Sequence, residues 1–239
     1  MSLHEPVATA ATLKILHPEI NVMLVTRRDY HELLSQFGYG SVEITALPES
    51  DIERILYSPS EIAIRVATLG AQISADYADR SLVLVGILKG VTFFMADLAR
   101  AITRPLALDY LAVAPPQSDQ SERVRFIKEL EIEIRGRHVL LIEDIVTTGL
   151  SLDFVLARLR DREPASLEVC ALFDKRDQRL VDAPARYIGF QVPNAFVVGY
   201  GLDFRELYRN LPFVCVLRPE AYTRDPIGDG VSQWSPNQR

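Results

Sequence analysis

Cysteine is scarce in this chain of 239 residues, since only Cys170 and Cys215 are present. Each lies inside an apolar run typical of a buried strand, which favours two reduced thiols over a disulfide framework. No apolar run approaches the roughly 20 residues of a membrane helix. Residues 1–20 also contain no long apolar core of a secretory signal. We therefore predict a cytoplasmic protein without a membrane partner.

Long basic runs are missing as well. The net charge is −6, and basic residues cluster at most in pairs such as Arg27-Arg28 and Lys175-Arg176. Because nucleic-acid binding needs a strong local basic patch, we expect no nucleic-acid partner. The histidines and cysteines do not fall at metal-ligand spacing. The sequence also lacks two common nucleotide-binding motifs. No phosphate-loop signature occurs, and Gly199-Tyr200-Gly201 lacks the third glycine of a dinucleotide fingerprint.

The chain does contain a regular alternation of helical and β-rich segments. Ser58-Pro59-Ser60-Glu61 has the spacing of a capping box and predicts the start of a helix with one apolar face. That face comprises Ile62, Val66, Leu69, Ile73 and Tyr77. Further helices are predicted at 91–102 and 151–162, the second with an apolar stripe at Leu152, Val155, Leu156 and Leu159. Strands are predicted at 82–88, 106–114, 139–142, 167–173, 196–200 and 213–217. This interleaving predicts an α/β fold with a mostly parallel sheet.

Three regions follow from this pattern. Residues 51–222 carry the alternation and are predicted to form one domain, with a polar loop at 115–123. Residues 1–50 form an N-terminal extension of unknown role, with a candidate strand at 21–25 and a candidate helix at 28–37. Residues 223–239 are polar and contain prolines and glycines, which predicts a disordered tail.

Polar residues that could bind a ligand or take part in a reaction are concentrated after the strand predicted at 139–142. Glu143 and Asp144 come first, and the next turn leads into a helix through Thr147, Thr148, Gly149, Leu150 and Ser151. Ligands of open α/β sheets bind beyond the carboxyl ends of strands. Two carboxylates there could accept protons from a vicinal diol, while the turn and helix N-terminus suit a phosphate monoester. The combination points to a ribose 5-phosphate. An acid pair alone has the simpler interpretation of a surface strand end.

The run from Val139 to Leu152 resembles the signature of type I phosphoribosyltransferases. Residues 51–222 resemble, more closely, the bacterial hypoxanthine-guanine phosphoribosyltransferases. Leu88-Lys89-Gly90 is similar to the family's diphosphate-binding loop, where the family has a non-proline cis peptide. Asp174-Lys175-Arg176 resembles the segment that contacts the purine 6-oxo group. Residues 196–203 and 208–212 resemble the hood strand, the metal site and the segment that follows.

This resemblance implies a mostly parallel sheet with flanking helices and a small hood. It also implies Mg²⁺, 5-phosphoribosyl-1-diphosphate and a purine base as ligands, and a homo-oligomer, either a dimer or a tetramer. The implied activity is purine salvage, which forms IMP or GMP and diphosphate from hypoxanthine or guanine.

The resemblance also implies a set of site residues. Those expected to bind phosphoribosyl diphosphate are Lys89, Gly90, Glu143, Asp144, Thr147, Thr148, Gly149, Leu150, Ser151 and Arg209. Those expected to bind the purine are Lys175, Phe196, Val197 and Asp203. The metal ligands would be Glu143, Asp144 and Asp203, and the catalytic residues Thr147 and Lys175. Taken singly, the lysines could be solvated, Phe196 could be core, and Asp203 could cap a helix at 204–209.

Two positions depart from the family pattern. The family's 6-oxopurine enzymes have an aspartate where this chain has Thr147, and a Ser-Tyr pair where it has Pro115-Pro116. A threonine hydroxyl is not a base near neutral pH, and two prolines remove two N–H donors. These departures keep two alternatives open. One is a degenerate binding module that senses phosphoribosyl diphosphate or a nucleotide, and the other is transfer to a different base.

Overall fold

The computed structural model describes residues 51–114, 125–182 and 184–223. In it, helix α1 (Pro59–Asp76) begins where the sequence predicts. The Ser58 side chain accepts a hydrogen bond from the Glu61 N–H, and the Glu61 carboxylate accepts one from the Ser58 N–H. This capping box satisfies two amides that a helix end leaves unpaired. The predicted apolar face is buried throughout. The predictions for residues 1–50, for the loop at 115–123 and for residues 224–239 lie outside the described residues.

The central sheet has six strands in the order β4-β3-β2-β5-β6-β7. These are β2 (Leu82–Leu88), β3 (Leu106–Ala114), β4 (Arg125–Lys128), β5 (His138–Val146), β6 (Ser166–Asp174) and β7 (Tyr187–Gln191). All neighbouring pairs are parallel except β3 and β4, which are antiparallel. The prediction of an α/β fold with a mostly parallel sheet is therefore confirmed.

Helices cover both faces of this sheet. Leu82 and Leu84 belong to one buried cluster with residues of α1 and of α2 (Thr92–Ala101), while Val83 and Val85 belong to another with residues of α3 (Leu150–Arg160). Alternate side chains of a strand point to opposite faces, so a strand buried on both sides is apolar at every position. The continuous apolar run at 82–88 has this cause.

A second, three-stranded antiparallel sheet forms the hood that the resemblance implied. Its order is β1-β9-β8, from β1 (Ile52–Tyr57), β8 (Val197–Val198) and β9 (Val214–Leu217). A short helix, α4 (Pro219–Thr223), follows β9. The strand predicted at 196–200 is thus only two residues long, because the chain turns at Gly199 and Gly201, which both have positive φ. Strands β1, β4 and β7 were not predicted. No helix in the described part of the chain is both long and apolar enough to cross a membrane.

Candidate active site

A cavity of about 220 Å³ opens at the carboxyl ends of β5 and β6, beneath the hood. The strand ends contribute acidic and polar groups, and the hood contributes an aromatic ring and a further carboxylate. Its lining consists of Asp144, Ile145, Thr147, Lys175, Phe196, Val197, Leu202 and Asp203. Six of these eight residues are sequence candidates, and Ile145 and Leu202 are additions. The fold therefore brings together groups from two sheets that are far apart in sequence.

Strand β5 continues through the acid pair instead of ending before it. Pairing with β6 extends to Val146, which lies opposite Asp174, so the strand predicted at 139–142 was too short. Asp144 faces the cavity, and its Oδ1 accepts a hydrogen bond from the Ile145 N–H at 2.7 Å. Glu143 does not line this cavity. The structure thus places differently two carboxylates that the sequence treats as equivalent.

Both carboxylates are partly buried at the strand end, which limits their hydration. Burial raises the pKa of Glu143 well above its ordinary value, and the neighbouring Asp144 carboxylate raises it further. Burial likewise raises the pKa of Asp144 to about 6, although the Ile145 N–H and Arg209 act in the opposite direction. An ionised carboxylate loses hydration on burial, which explains why the pKa values of Glu143 and Asp144 are both raised. A ligand that supplies hydroxyl donors or a cation would relieve this cost.

Replacement of Asp144 by asparagine should stabilise the free protein while weakening ligand binding. The folded-state pKa of about 6 lies above the ordinary 3.8. The destabilisation from ionising Asp144 is therefore absent only well below pH 4, grows between about pH 4 and pH 6, and is complete well above pH 6. At about 1.4 kcal/mol per unit, a shift of about two units sets an upper bound of about 3 kcal/mol. Asparagine keeps the side-chain oxygen that accepts the hydrogen bond from the Ile145 N–H.

Thermal unfolding of both forms at about pH 5 and about pH 8 would check this expectation, because the gain should be larger at the higher pH. The exposed Asp79→Asn variant is a matched control that removes one charge elsewhere. An equal gain from both variants, or a gain that does not grow with pH, would contradict the assignment.

Two glycines allow the loop after β2 to pack tightly against the strand end and the hood. A Cβ on Gly90 would lie 1.7 Å from Oδ2 of Asp144, and a Cβ on Gly201 would lie 2.0 Å from the Gly90 carbonyl oxygen. The peptide bond between Leu88 and Lys89 is cis, as the resemblance implied. Gly90, a sequence candidate, thus acts by leaving space for a carboxylate.

The turn from Thr147 to Gly149 leads directly into α3, whose first residues are Leu150 and Ser151. The N-cap residue Gly149 has a φ of 85° and no side chain that could cap the helix, and the Leu150 N–H makes a long hydrogen bond of 3.5 Å to Oγ1 of Thr148. The Thr148 carbonyl accepts hydrogen bonds from the N–H groups of Leu180 and Val181 at 2.9 and 3.1 Å, which fixes the turn. Uncapped amides at a helix N-terminus favour an anion. The turn therefore fits the predicted phosphate monoester.

Lys175 is fixed at the end of β6 by two hydrogen bonds. Its N–H donates to the Val146 carbonyl at 2.9 Å, and its Nζ donates to the Ala195 carbonyl at 2.6 Å. Burial lowers the pKa of its ammonium group. An ammonium has three donor hydrogens and no acceptor. Two donors therefore remain for a ligand in the cavity, so Lys175 is more than a solvated lysine.

Phe196 and Val197 form the hood side of the cavity. The Phe196 ring is 40% exposed and contacts the Phe204 ring edge-to-face, with centroids 5.5 Å apart. Val197 is buried in β8. An exposed ring that is fixed by a second ring offers a face on which a planar base can stack. The interpretation of Phe196 as plain core is therefore wrong.

The segment after Leu202 is not a helix, so Asp203 does not cap one. Arg205, Glu206 and Tyr208 have φ values of 51°, 66° and 74°, which are incompatible with a right-handed helix. Arg209 instead donates to an Asp203 carboxylate oxygen at 2.8 Å and to the Gly201 carbonyl at 2.7 Å. Lys89 pairs with Glu206, with Nζ and Oε2 at 3.1 Å. Sequence reasoning did not identify Glu206 or Gly201 as site residues.

Within the described residues, no group of three histidine, cysteine or acidic side chains is arranged to hold a metal ion. Asp144 and Asp203 nevertheless line the same cavity. Mg²⁺ is commonly bound through one or two carboxylates, waters and substrate phosphates. The acidic side chains therefore fit a magnesium ion that enters with a phosphate ligand, rather than an all-protein cage.

Comparison with known proteins agrees with this fold. Residues 54–205 match the phosphoribosyl transferase domain family. The chain therefore belongs to the phosphoribosyltransferases, and the resemblance seen in its sequence is confirmed.

Individual relatives show to which members of this family the chain is similar. A hypoxanthine-guanine phosphoribosyltransferase from Streptococcus agalactiae is 41% identical over 178 residues, which cover 74% of this chain and 99% of the relative. One from Bacillus subtilis is 42% identical over 174 residues, covering 72% and 97%. A crystal structure of a Staphylococcus aureus hypoxanthine phosphoribosyltransferase has a TM-score of 0.72 at 40% identity, covering 76% of this chain and 100% of that one. Within the family, this chain thus belongs to the hypoxanthine-guanine phosphoribosyltransferases.

Proposed function

We propose that the protein transfers a phosphoribosyl group from 5-phosphoribosyl-1-diphosphate to hypoxanthine or guanine, with release of diphosphate. The observation that carries this proposal is the single cavity shared by Asp144, Thr147, Lys175 and Phe196. Asp144 offers a carboxylate for a ribose diol, and the helix N-terminus that follows Thr147 in the chain offers amides for its phosphate. Lys175 and Phe196 offer an ammonium group and an aromatic face for a 6-oxopurine.

In this arrangement each side chain has a distinct task. Asp144 orients the ribose hydroxyls, and the turn from Thr148 to Ser151 holds the 5-phosphate. Lys89 and Arg209 balance the negative charge that grows on diphosphate as the bond from C1 to oxygen breaks. Magnesium, when bound, would be held by Asp144 and Asp203 and would neutralise diphosphate oxygens. Glu143, outside the cavity lining, would act on the ion or the ribose only from its rim.

The domain limits and the biological setting belong to the same proposal. Residues 51–222 are proposed as the catalytic domain, with residues 1–50 as an extension. The similarity to hypoxanthine-guanine phosphoribosyltransferases supports a homo-oligomer and a cytoplasmic location. The alternative of a degenerate binding module gains no support from the fold or the relatives.

Lys175 should set a preference for 6-oxopurines over adenine. Its remaining donors match a carbonyl oxygen, whereas the exocyclic amine of adenine would leave these donors of a partly buried ammonium unsatisfied at a cost of about 1–3 kcal/mol. We therefore expect hypoxanthine or guanine to be preferred roughly 5- to 150-fold in kcat/KM. Steady-state assays with the three bases measure this directly and also test the proposed function.

Lys175→Ala should reduce the preference and lower kcat/KM for hypoxanthine. Arg176→Ala is a matched control, since Arg176 is the neighbouring exposed cation and does not line the cavity. Equal use of adenine by the wild type, or an unchanged preference in Lys175→Ala, would contradict the assignment. Absence of product with every base would refute the proposed reaction.

A further inference from the structure

Glu206 places a negative charge between the two cations assigned to diphosphate. Its Oε2 lies 3.1 Å from Nζ of Lys89 and 3.3 Å from Nη2 of Arg209. One carboxylate oxygen thus bridges both cations, as an oxygen of a bound phosphate group would. None of the family motifs recognised in the sequence includes Glu206.

The backbone fixes Glu206 in this position. Its N–H donates to Oδ2 of Asp203 at 2.8 Å, so the segment folds back on the carboxylate at the cavity edge. Phe204 and Leu207 close a tight turn through two backbone hydrogen bonds of 3.2 and 3.0 Å. Within this segment Arg205, Glu206 and Tyr208 adopt the left-handed region, which is unfavourable for residues other than glycine. Such local strain is typical of segments that change conformation on binding.

The contact between Lys89 and Glu206 is weak enough to be exchanged for a bound anion. The side chains of Lys89 and Glu206 are 67% and 59% exposed, and pairs this exposed contribute little to stability. Diphosphate carries several negative charges and more acceptor oxygens than one carboxylate. It should therefore replace Glu206, whereas a weak anion should not.

We propose that Glu206 is an internal competitor of diphosphate, which occupies the cationic site of the free protein and is displaced when the diphosphate group binds. This inference rests on the proposed function, because it takes Lys89 and Arg209 as the diphosphate ligands. Glu206 does not touch the reacting atoms and is a positioning residue. It sets the affinity of the site and prevents retention of the diphosphate product.

Glu206→Gln should test this, because glutamine keeps the size of the side chain and removes the competing charge. We expect the variant to bind inorganic diphosphate, in the presence of Mg²⁺, about threefold to tenfold more tightly than the wild type. Since product would leave more slowly, kcat should fall or stay constant while KM for phosphoribosyl diphosphate falls. Glu131→Gln is the matched control, because it removes a glutamate that pairs with Lys128.

Calorimetric titration of the full chain gives both the affinity and the location of the effect. In a Lys89→Ala background the gain from Glu206→Gln should shrink, because one of the two bridged cations is gone. Equal or weaker diphosphate binding by Glu206→Gln would show that Glu206 organises the cations rather than competes, and would overturn the inference. So would an equal gain in Glu131→Gln. If the wild type binds neither diphosphate nor phosphoribosyl diphosphate, the proposed function itself fails.

Discussion

Replacement of Thr147 by aspartate should raise turnover with hypoxanthine by at least about tenfold, since a fully effective general acid–base group contributes roughly 10²–10⁴-fold. Thr147 lines the cavity together with Lys175 and Phe196, the two residues proposed to hold the base. A carboxylate at this position could exchange the proton on a purine nitrogen, whereas the hydroxyl of threonine cannot near neutral pH. Threonine and aspartate are also close in size, so the turn should accept the change.

The surroundings of Thr147 should favour a useful pKa for the new carboxylate. Asp144 and Asp203 line the same cavity, and like charges disfavour ionisation. The Lys175 ammonium in the same cavity acts in the opposite direction, so the carboxylates offset its pull on the pKa of an aspartate at 147 and keep that group from becoming too weak a base. Binding of phosphoribosyl diphosphate should stay similar or weaken slightly, since the added charge lies near the phosphate site.

Steady-state formation of IMP at saturating phosphoribosyl diphosphate and Mg²⁺ measures the effect. Thr147→Asn is the matched control, because it has the shape of aspartate and no basic oxygen. A gain in Thr147→Asp alone would identify proton transfer as the missing contribution. A fast wild type that is unaffected by the change would show that threonine is no handicap, and equal gains in both variants would indicate a change in packing.

Gly90→Ala should lower kcat/KM for phosphoribosyl diphosphate at least about a hundredfold, the scale of loss when a group is misplaced by about 1 Å. An alanine Cβ would lie 1.7 Å from Oδ2 of Asp144, so this carboxylate must rotate away. The next atom is Cγ of Asp144 at 2.8 Å, so the whole Asp144 side chain must move, whereas the Gly201 carbonyl oxygen at 3.5 Å is an ordinary contact. The loop itself can therefore persist, and the damage should fall on the ribose contact rather than on folding.

A double-mutant cycle distinguishes this cause from general disruption. In an Asp144→Ala background, Gly90→Ala should cost little more, because the atom that it would strike is gone. Gly136→Ala is the control for an added methyl group, since nothing lies within 4 Å of its Cβ and its positive φ should affect stability alone. Additive losses from Gly90→Ala and Asp144→Ala would contradict the steric explanation.

Much of the fold follows from local patterns in the sequence. The capping box at Ser58, the limits of β2 and β3, and the apolar stripe of α3 all agree with the structure. These features depend on residues that are close to one another in sequence. The apolar run of β2 is continuous because both faces of that strand are buried. Strands β1, β4 and β7 were missed because they are only partly buried and lack an apolar run or strict alternation. Pairing with a neighbour, rather than propensity, makes them strands.

The sequence by itself determined which chemical groups are available and in what order, from the acid pair and its turn to Lys175 and Asp203. Only the tertiary structure decided how they act together. It placed Asp144 rather than Glu143 in the cavity and Glu206 beside Lys89. It also placed the Lys175 ammonium where it donates a hydrogen bond to the Ala195 carbonyl. These contacts join residues on different strands and loops, so no local periodicity encodes them. They form because parallel strands end at one edge of the sheet and the hood closes over that edge.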